Sequence, residues 1–155
     1  MRRFEEVKEG FKKFPDVETK LPERADAQSA GYDFYSKENY TLAPGEFHMF
    51  FTDVCVRMYF DNVLKIYTRS GNGIKHGIIL KNNVGVVDAS YYGNPNNFGN
   101  IGIGLVNNGR EPFEIHVGDR IAQGIFGRYF ITDDDKFVGE KNKNTRTGGF
   151  GSTGR

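Results

Sequence analysis

The apolar residues of this chain come in short runs rich in Phe, Val, Ile and Tyr, with turn signals about every 8 to 12 residues and no helical period of any length. Such a chain cannot bury its side chains by stacking helices; it must pair strands and close the sheets on one another. Met1 to Val7 reads as a short strand or arm, followed by a polar segment to about Gln28 that Phe11 and Phe14 can dock. Ala30 to Tyr35 is a strand of alternating polarity, and Tyr40 to Gly45 is a strand ending in a Pro-Gly turn. Glu46 to Arg57 and Val63 to Thr68 flank Asp61-Asn62, a hairpin-type turn, and Ser70 to Lys75 makes one helical turn before strand resumes at Gly77. Later strands are expected over Ile101 to Val106, Phe113 to Val117 and Arg120 to Ile131. Pro112 opens the second of these, where a missing N–H does least harm. The pattern predicts an all-β sandwich or jelly roll.

With 155 residues, 37% of them hydrophobic, the chain can bury one core. Past Thr132 the composition turns to Asp133-Asp134-Asp135 and then to Lys, Asn and Gly. The expected organisation is one β domain over 1–132 and a flexible C-terminal arm over 133–155. Lys and Arg number 21 against 20 Asp and Glu, a net charge of +1, so no bulk attraction to nucleic acid or an acidic membrane exists. Direct nucleic-acid binding is not expected. Cys55 stands alone in an apolar run, which rules out an internal disulfide or a cysteine zinc site and points to a reducing compartment. No apolar run nears the roughly 18 residues of a membrane span and the N-terminus is charged, so a soluble, cytoplasmic protein is expected. His48, His76 and His116 are widely separated, lack ligand spacing and are assigned no metal.

Chemistry concentrates between Asn82 and Gly93, read here as a β-hairpin with one carboxylate, Asp88, at its neck. Val84, Val86 and Val87 are strand formers, and Gly85 and Gly93 let the backbone come close to a neighbour or to a flat ligand. On residue type alone, Asp88 reads first as a turn residue or a surface charge, and only its context points further. A second suggestive stretch is the Gly-rich end, Thr145 to Arg155. Its backbone N–H groups and guanidinium suit phosphate oxygens, and its Phe150 ring suits a base.

Taken together, five fragments fall in an order that resembles the homotrimeric deoxyuridine triphosphatases (dUTPases). They are Ala30-Gly31-Tyr32-Asp33-Phe34; Arg69-Ser70-Gly71 with Lys75 and Gly77; Gly85 to Gly93; Gly118-Asp119-Arg120-Ile121-Ala122-Gln123; and Arg146 through Gly154. The resemblance implies a jelly-roll-like distorted barrel, a homotrimer with three active sites at subunit interfaces, and hydrolysis of dUTP to dUMP and pyrophosphate by water attack at the α-phosphate. That reaction limits uracil incorporation into DNA and supplies dUMP. Mg2+ is implied as cofactor, held through the triphosphate and water with no direct protein ligand, in keeping with the ion's reluctance to dehydrate.

The resemblance also implies roles. Asp88 polarises the attacking water; Arg69, Ser70, Gly71 and Gln123 bind the phosphate chain; Arg146 closes its far end, with Phe150 and Gly151 of the arm over the nucleotide; Asp33 steadies the metal's water shell. Backbone groups of Gly85, Val86 and Val87, with Asn82 nearby, pair with the edge of uracil. The ring of Tyr91 lies against the deoxyribose, where a ribose 2′-hydroxyl would collide with it. In two places the chain departs from the family: Ser90 stands where many members carry a second acid, and Asn94 to Asn100 is a longer connection than the commonest form. Two other classes remain open: a dCTP deaminase of the same fold, which needs a glutamate as proton shuttle, and a dUTPase-like regulator whose contact with a protein partner is switched by nucleotide.

Overall fold

In the computed structural model, which describes residues 1–135, the β runs become strands joined by short turns and one helix. Arg146, Phe150, Gly151 and most of the expected arm lie outside the described residues. The strands are β1 (Arg3–Glu6), β2 (Glu23–Arg24), β3 (Tyr32–Tyr35), β4 (Tyr40–Leu42), β5 (Phe47–Phe51) and β6 (Val54–Arg57). They continue with β7 (Asn62–Tyr67), β8 (Ile78–Leu80), β9 (Gly85–Asp88), β10 (Gly102–Asn107), β11 (Phe113–Ile115) and β12 (Arg120–Arg128), and the helix is α1 (Ser70–His76). A five-stranded sheet runs β2-β3-β12-β7-β9 and a three-stranded one β5-β10-β8, with two-stranded ladders β1-β6 and β11-β4 beside them. Every pairing is antiparallel. The result is the expected jelly-roll-like barrel. Phe34, Leu42, Phe50, Leu64, Ile78, Ile103, Leu105 and Ile121, from both large sheets and the β4 ladder, fill its interior.

Four local expectations are corrected by the observed pairing and backbone. The stretch from Asn82 to Gly93 is a corner, not a hairpin: β8 pairs with β10 while β9 pairs with β7. Asn83 adopts a left-handed φ of 60°, and the Val84 N–H donates to the Asn82 carbonyl at 2.6 Å, so the chain leaves one sheet and enters the other. Asp61-Asn62 likewise joins strands that do not pair with each other, since β6 lies on β1 and β7 on β12 and β9. The run from Glu46 to Arg57 is two strands, broken where Asp53 takes a φ of 55°. β2 falls inside the segment read as merely polar.

The break at Asp53 has a structural purpose. Its carboxylate, fully buried, accepts the backbone N–H of Lys13 at 2.7 Å and of Phe14 at 2.9 Å, and the side-chain amide of Asn100 at 2.8 Å. The buried Lys37 ammonium lies 3.6 Å away and donates to the Val17 carbonyl and the Thr19 hydroxyl. Burial lowers the Lys37 pKa, an effect that Asp53 partly opposes. Removing one partner would leave the other as an uncompensated buried charge. Together they hold the polar segment to the barrel, and Phe11 stacks on Phe98 at 5.7 Å as a further attachment. Cys55 is buried, and burial pushes its thiol up to about 12, which makes it an inert core residue.

Candidate functional site

The site residues expected from the sequence gather in two places. The first is a cleft of about 490 Å³ along β9, lined by Asn82, Gly85, Val86, Val87, Asp88 and Tyr91. β9 is the outer strand of its sheet, so half of its backbone N–H and C=O groups point away from β7. A planar ligand with donors and acceptors on one edge can pair with such a strand. Gly85 is required by the close approach of β7: a Cβ there would lie 3.0 Å from the Cβ of Ile66. Asp88 ends β9, half-buried, opposite Val63 of β7. The chain then turns through a 3-10 segment, Ala89–Tyr91, which carries Tyr91 into the same cleft. Tyr92 faces elsewhere, donating its hydroxyl to Glu5 at 2.8 Å, a bond that raises the Tyr92 pKa.

The opposite wall, Phe47 and Met49 of β5 with Ile103 and Gly104 of β10, was not foreseen. No local signal marks it, because these residues meet β9 only through the packing of one sheet on the other.

The second place is a guanidinium pair organised by one carboxylate. Asp33, with a side chain 11% exposed, receives Arg69 Nε at 3.0 Å on one oxygen and an Arg120 terminal nitrogen at 3.4 Å on the other. A guanidinium carries five N–H donors, so each arginine keeps capacity for a further anion after this bond. Gln123 stands opposite Asp33 in the β3-β12 ladder and donates to the Thr68 carbonyl at 3.2 Å. Gly31 makes room for it, since a Cβ there would meet Gln123 Oε1 at 2.5 Å. Ser70 and Gly71, both exposed, open α1 directly after Arg69. Arg120 lies in the fourth of the five family-like fragments without an assigned role, and only the register that brings β12 beside β3 pairs it with Asp33.

Asp88, at the far end of the cleft, and the arginine group are far apart within one chain. From β3 to β9 are three strand spacings, roughly 14 Å, and Tyr67, beside Gln123, lies roughly 13 Å along β7 from Val63, which faces Asp88. No residue of the arginine group lines the cleft. Among the described residues, no cluster of three or more His, Cys, Asp or Glu is placed to hold a metal ion.

An antiparallel β barrel with a cleft along an open strand edge, and arginines whose remaining donors suit an anion, defines a small ligand-binding protein of the jelly-roll class. The comparisons with known proteins make this specific. The dUTPase family model matches residues 17–154. Deoxyuridine 5′-triphosphate nucleotidohydrolase of Lactococcus lactis subsp. lactis is 39% identical over 142 residues, covering 92% of this chain and 93% of the relative. The crystal structure of dUTPase from Streptococcus mutans superposes with a TM-score of 0.73 at 34% identity, over 84% of this chain and 98% of that one. A dUTPase from phage phi11 of Staphylococcus aureus, at 23% identity, shares the fold with a TM-score of 0.70 over 88% of this chain and 95% of its own, and is described with a structural Mg(II) ion. The chain belongs to the dUTPase family.

Proposed function

We infer that this protein hydrolyses dUTP to dUMP and pyrophosphate, and so limits uracil incorporation into DNA and supplies dUMP. The observation that carries the reading is the convergence of an open strand edge, Asp88 and Tyr91 in one cleft. The base pairs with the backbone of Gly85 to Val87, with Asn82 at the rim. Cytosine presents a donor where uracil presents an acceptor, so it leaves buried groups unpaired and is rejected. Tyr91 packs against the deoxyribose. Asp88, just beyond the base-pairing residues, takes a proton from the water that attacks the α-phosphate.

Cleavage of a phosphoanhydride also needs positive charge along the triphosphate. Arg69, Ser70, Gly71 and Gln123 supply donors for it, and Arg120 joins them through its shared anchor. Asp33 was expected to steady the water shell of a metal; with a guanidinium on each oxygen, it is better read as the residue that aims both arginines. Because Asp88 and the arginine pair on Asp33 lie far apart within one chain, we propose a homotrimer in which they come from different copies, with Arg146, Phe150 and Gly151 completing the site. Magnesium fits this arrangement as an ion held through triphosphate oxygens and water, where it would neutralise phosphate charge. The deaminase alternative requires a glutamate, and among the described residues none lines the cleft. Among those residues no helix is long and apolar enough to cross a membrane, and the buried thiol of Cys55 fits cytoplasmic residence.

Pyrophosphate release, measured with magnesium on dUTP, dCTP, dTTP and UTP, tests the reading. Release from dUTP alone is expected. Ammonia release from dCTP, or no turnover of dUTP, would contradict it.

A further inference from the structure

The long connection from Asn94 to Asn100 folds back on the tyrosine that precedes it. Asn97 donates its side-chain amide to the Tyr91 hydroxyl at 2.6 Å, and that hydroxyl donates to the Asn100 carbonyl at 3.1 Å. The loop that carries both is itself braced. The Gly99 N–H donates to Asn97 Oδ1 at 3.0 Å, the Asn100 N–H to the Asn97 carbonyl at 2.9 Å, and the Phe98 N–H to the Asn94 carbonyl at 2.7 Å. Phe98 and Gly99 take left-handed φ values of 56° and 80°, so the turn is tight. A Cβ at Gly99 would lie 2.5 Å from the Tyr91 carbonyl, so the loop and the tyrosine are pressed together. Asn100 is fully buried and is locked to Asp53 by two bonds, its amide donating to the carboxylate at 2.8 Å and its side-chain oxygen accepting the Asp53 N–H at 3.0 Å. The phenol end of Tyr91 is therefore tied through Asn100 to the buried Asp53 anchor that also holds the N-terminal segment, and through Asn97 to the braced loop.

We propose that Asn97 is a positioning residue for sugar selection, fixing the ring of Tyr91 so that it cannot yield to a 2′-hydroxyl. This rests on the reading of Tyr91 as the residue against the deoxyribose. Steric exclusion discriminates only if the excluding group stays in place, because a ring held by packing alone can swing aside by a few tenths of an ångström and admit the extra oxygen. Tyr91 is 8% exposed and lines the cleft, while its hydroxyl is held from outside the cleft by the loop. A tyrosine hydroxyl has one proton to donate and lone pairs to accept with. The amide of Asn97 and the carbonyl of Asn100 use both capacities, so they fix the position of the phenol oxygen and, with it, the direction of the ring's long axis.

Tyr91→Phe tests this with the smallest change, since it keeps the ring and removes only the oxygen that Asn97 and Asn100 hold. Asn97→Ser approaches the first of these bonds from the other end: its hydroxyl can still accept the Gly99 N–H two residues on but is too short to reach Tyr91, whereas an aspartate would go on holding the tyrosine by accepting its proton. Each variant is expected to lower the dUTP-to-UTP ratio of kcat/KM by about 2- to 10-fold, the range of one or two net hydrogen bonds, chiefly through better use of UTP; in Asn97→Ser, which alters no residue against the substrate, kcat for dUTP should change little. The double variant should lose no more than Tyr91→Phe alone. Losses that add, or an unchanged ratio in Asn97→Ser, would overturn the proposal; should that variant fail to fold, an unchanged ratio in Tyr91→Phe does so alone. Tyr91→Ala separates the two levels. An unchanged ratio there overturns the reading of Tyr91 and this proposal with it, whereas a lowered ratio beside unaffected Asn97→Ser and Tyr91→Phe variants overturns the proposal only.

Discussion

Asp88→Asn is expected to retain nucleotide binding and to lose about 10² to 10⁴-fold in turnover. The amide nearly matches the carboxylate in size, so β9 and its ladder with β7, in which Asp88 faces Val63, should be undisturbed. What disappears is the ability to take a proton at neutral pH, and the water is left without a base. Binding of dUTP, followed by calorimetry, should stay within a few-fold of the parent, because base and sugar are held by residues before and after position 88. Residual turnover above about a tenth of the parent would remove Asp88 from the role of base, since a loss that small is below what a general base contributes.

Ending the chain after Val138 is expected to leave the melting temperature nearly unchanged and to lower turnover by about 10³-fold or more. The core among the described residues is built from side chains between Phe4 and Phe126, so the deletion takes nothing from it. It does remove Arg146, Phe150 and Gly151, which the family resemblance assigns to the far end of the triphosphate and to the nucleotide. An arginine that neutralises charge developing on a transferred phosphoryl group is worth this much in other nucleotide hydrolases. Unaltered kinetics in the shortened chain would mean that the last motif takes no part in the reaction.

The class of fold was legible because β-type runs and turn residues are local signals, and the end of the short helix after Arg69 was marked by Gly77, which takes its left-handed cap, and by the apolar run that follows. Pairing was not. Whether Asn82 to Gly93 closes as a hairpin or turns a corner is decided by β10 and β7, which compete for β8 and β9 from elsewhere in the chain, and nothing between positions 82 and 93 records that competition. Asp53 gave no sign of its conformation for the same reason, since its left-handed turn is stabilised by Lys13, Phe14, Lys37 and Asn100. In the candidate site, the residues that converge on the cleft from Asn82 to Tyr91 are near neighbours in sequence, and a motif could capture them. The wall opposite, the pairing of Arg120 with Asp33, and the hold of Asn97 on Tyr91 depend on register and loop geometry, to which single-residue chemistry is blind.

The claim on which the account turns is that one active site draws Asp88 and Arg69 from different copies of the chain. Asp88→Asn and Arg69→Ala chains, each inactive alone, can be unfolded together, refolded as a mixture and assayed for dUTP hydrolysis. Sites shared between subunits predict recovery of roughly a quarter of the parent activity, the share of random pairings in which both donors are intact. Sites contained within single chains predict none, because every chain in the mixture lacks one of the two groups, and a mixture that stays inactive while assembling into trimers would contradict the account.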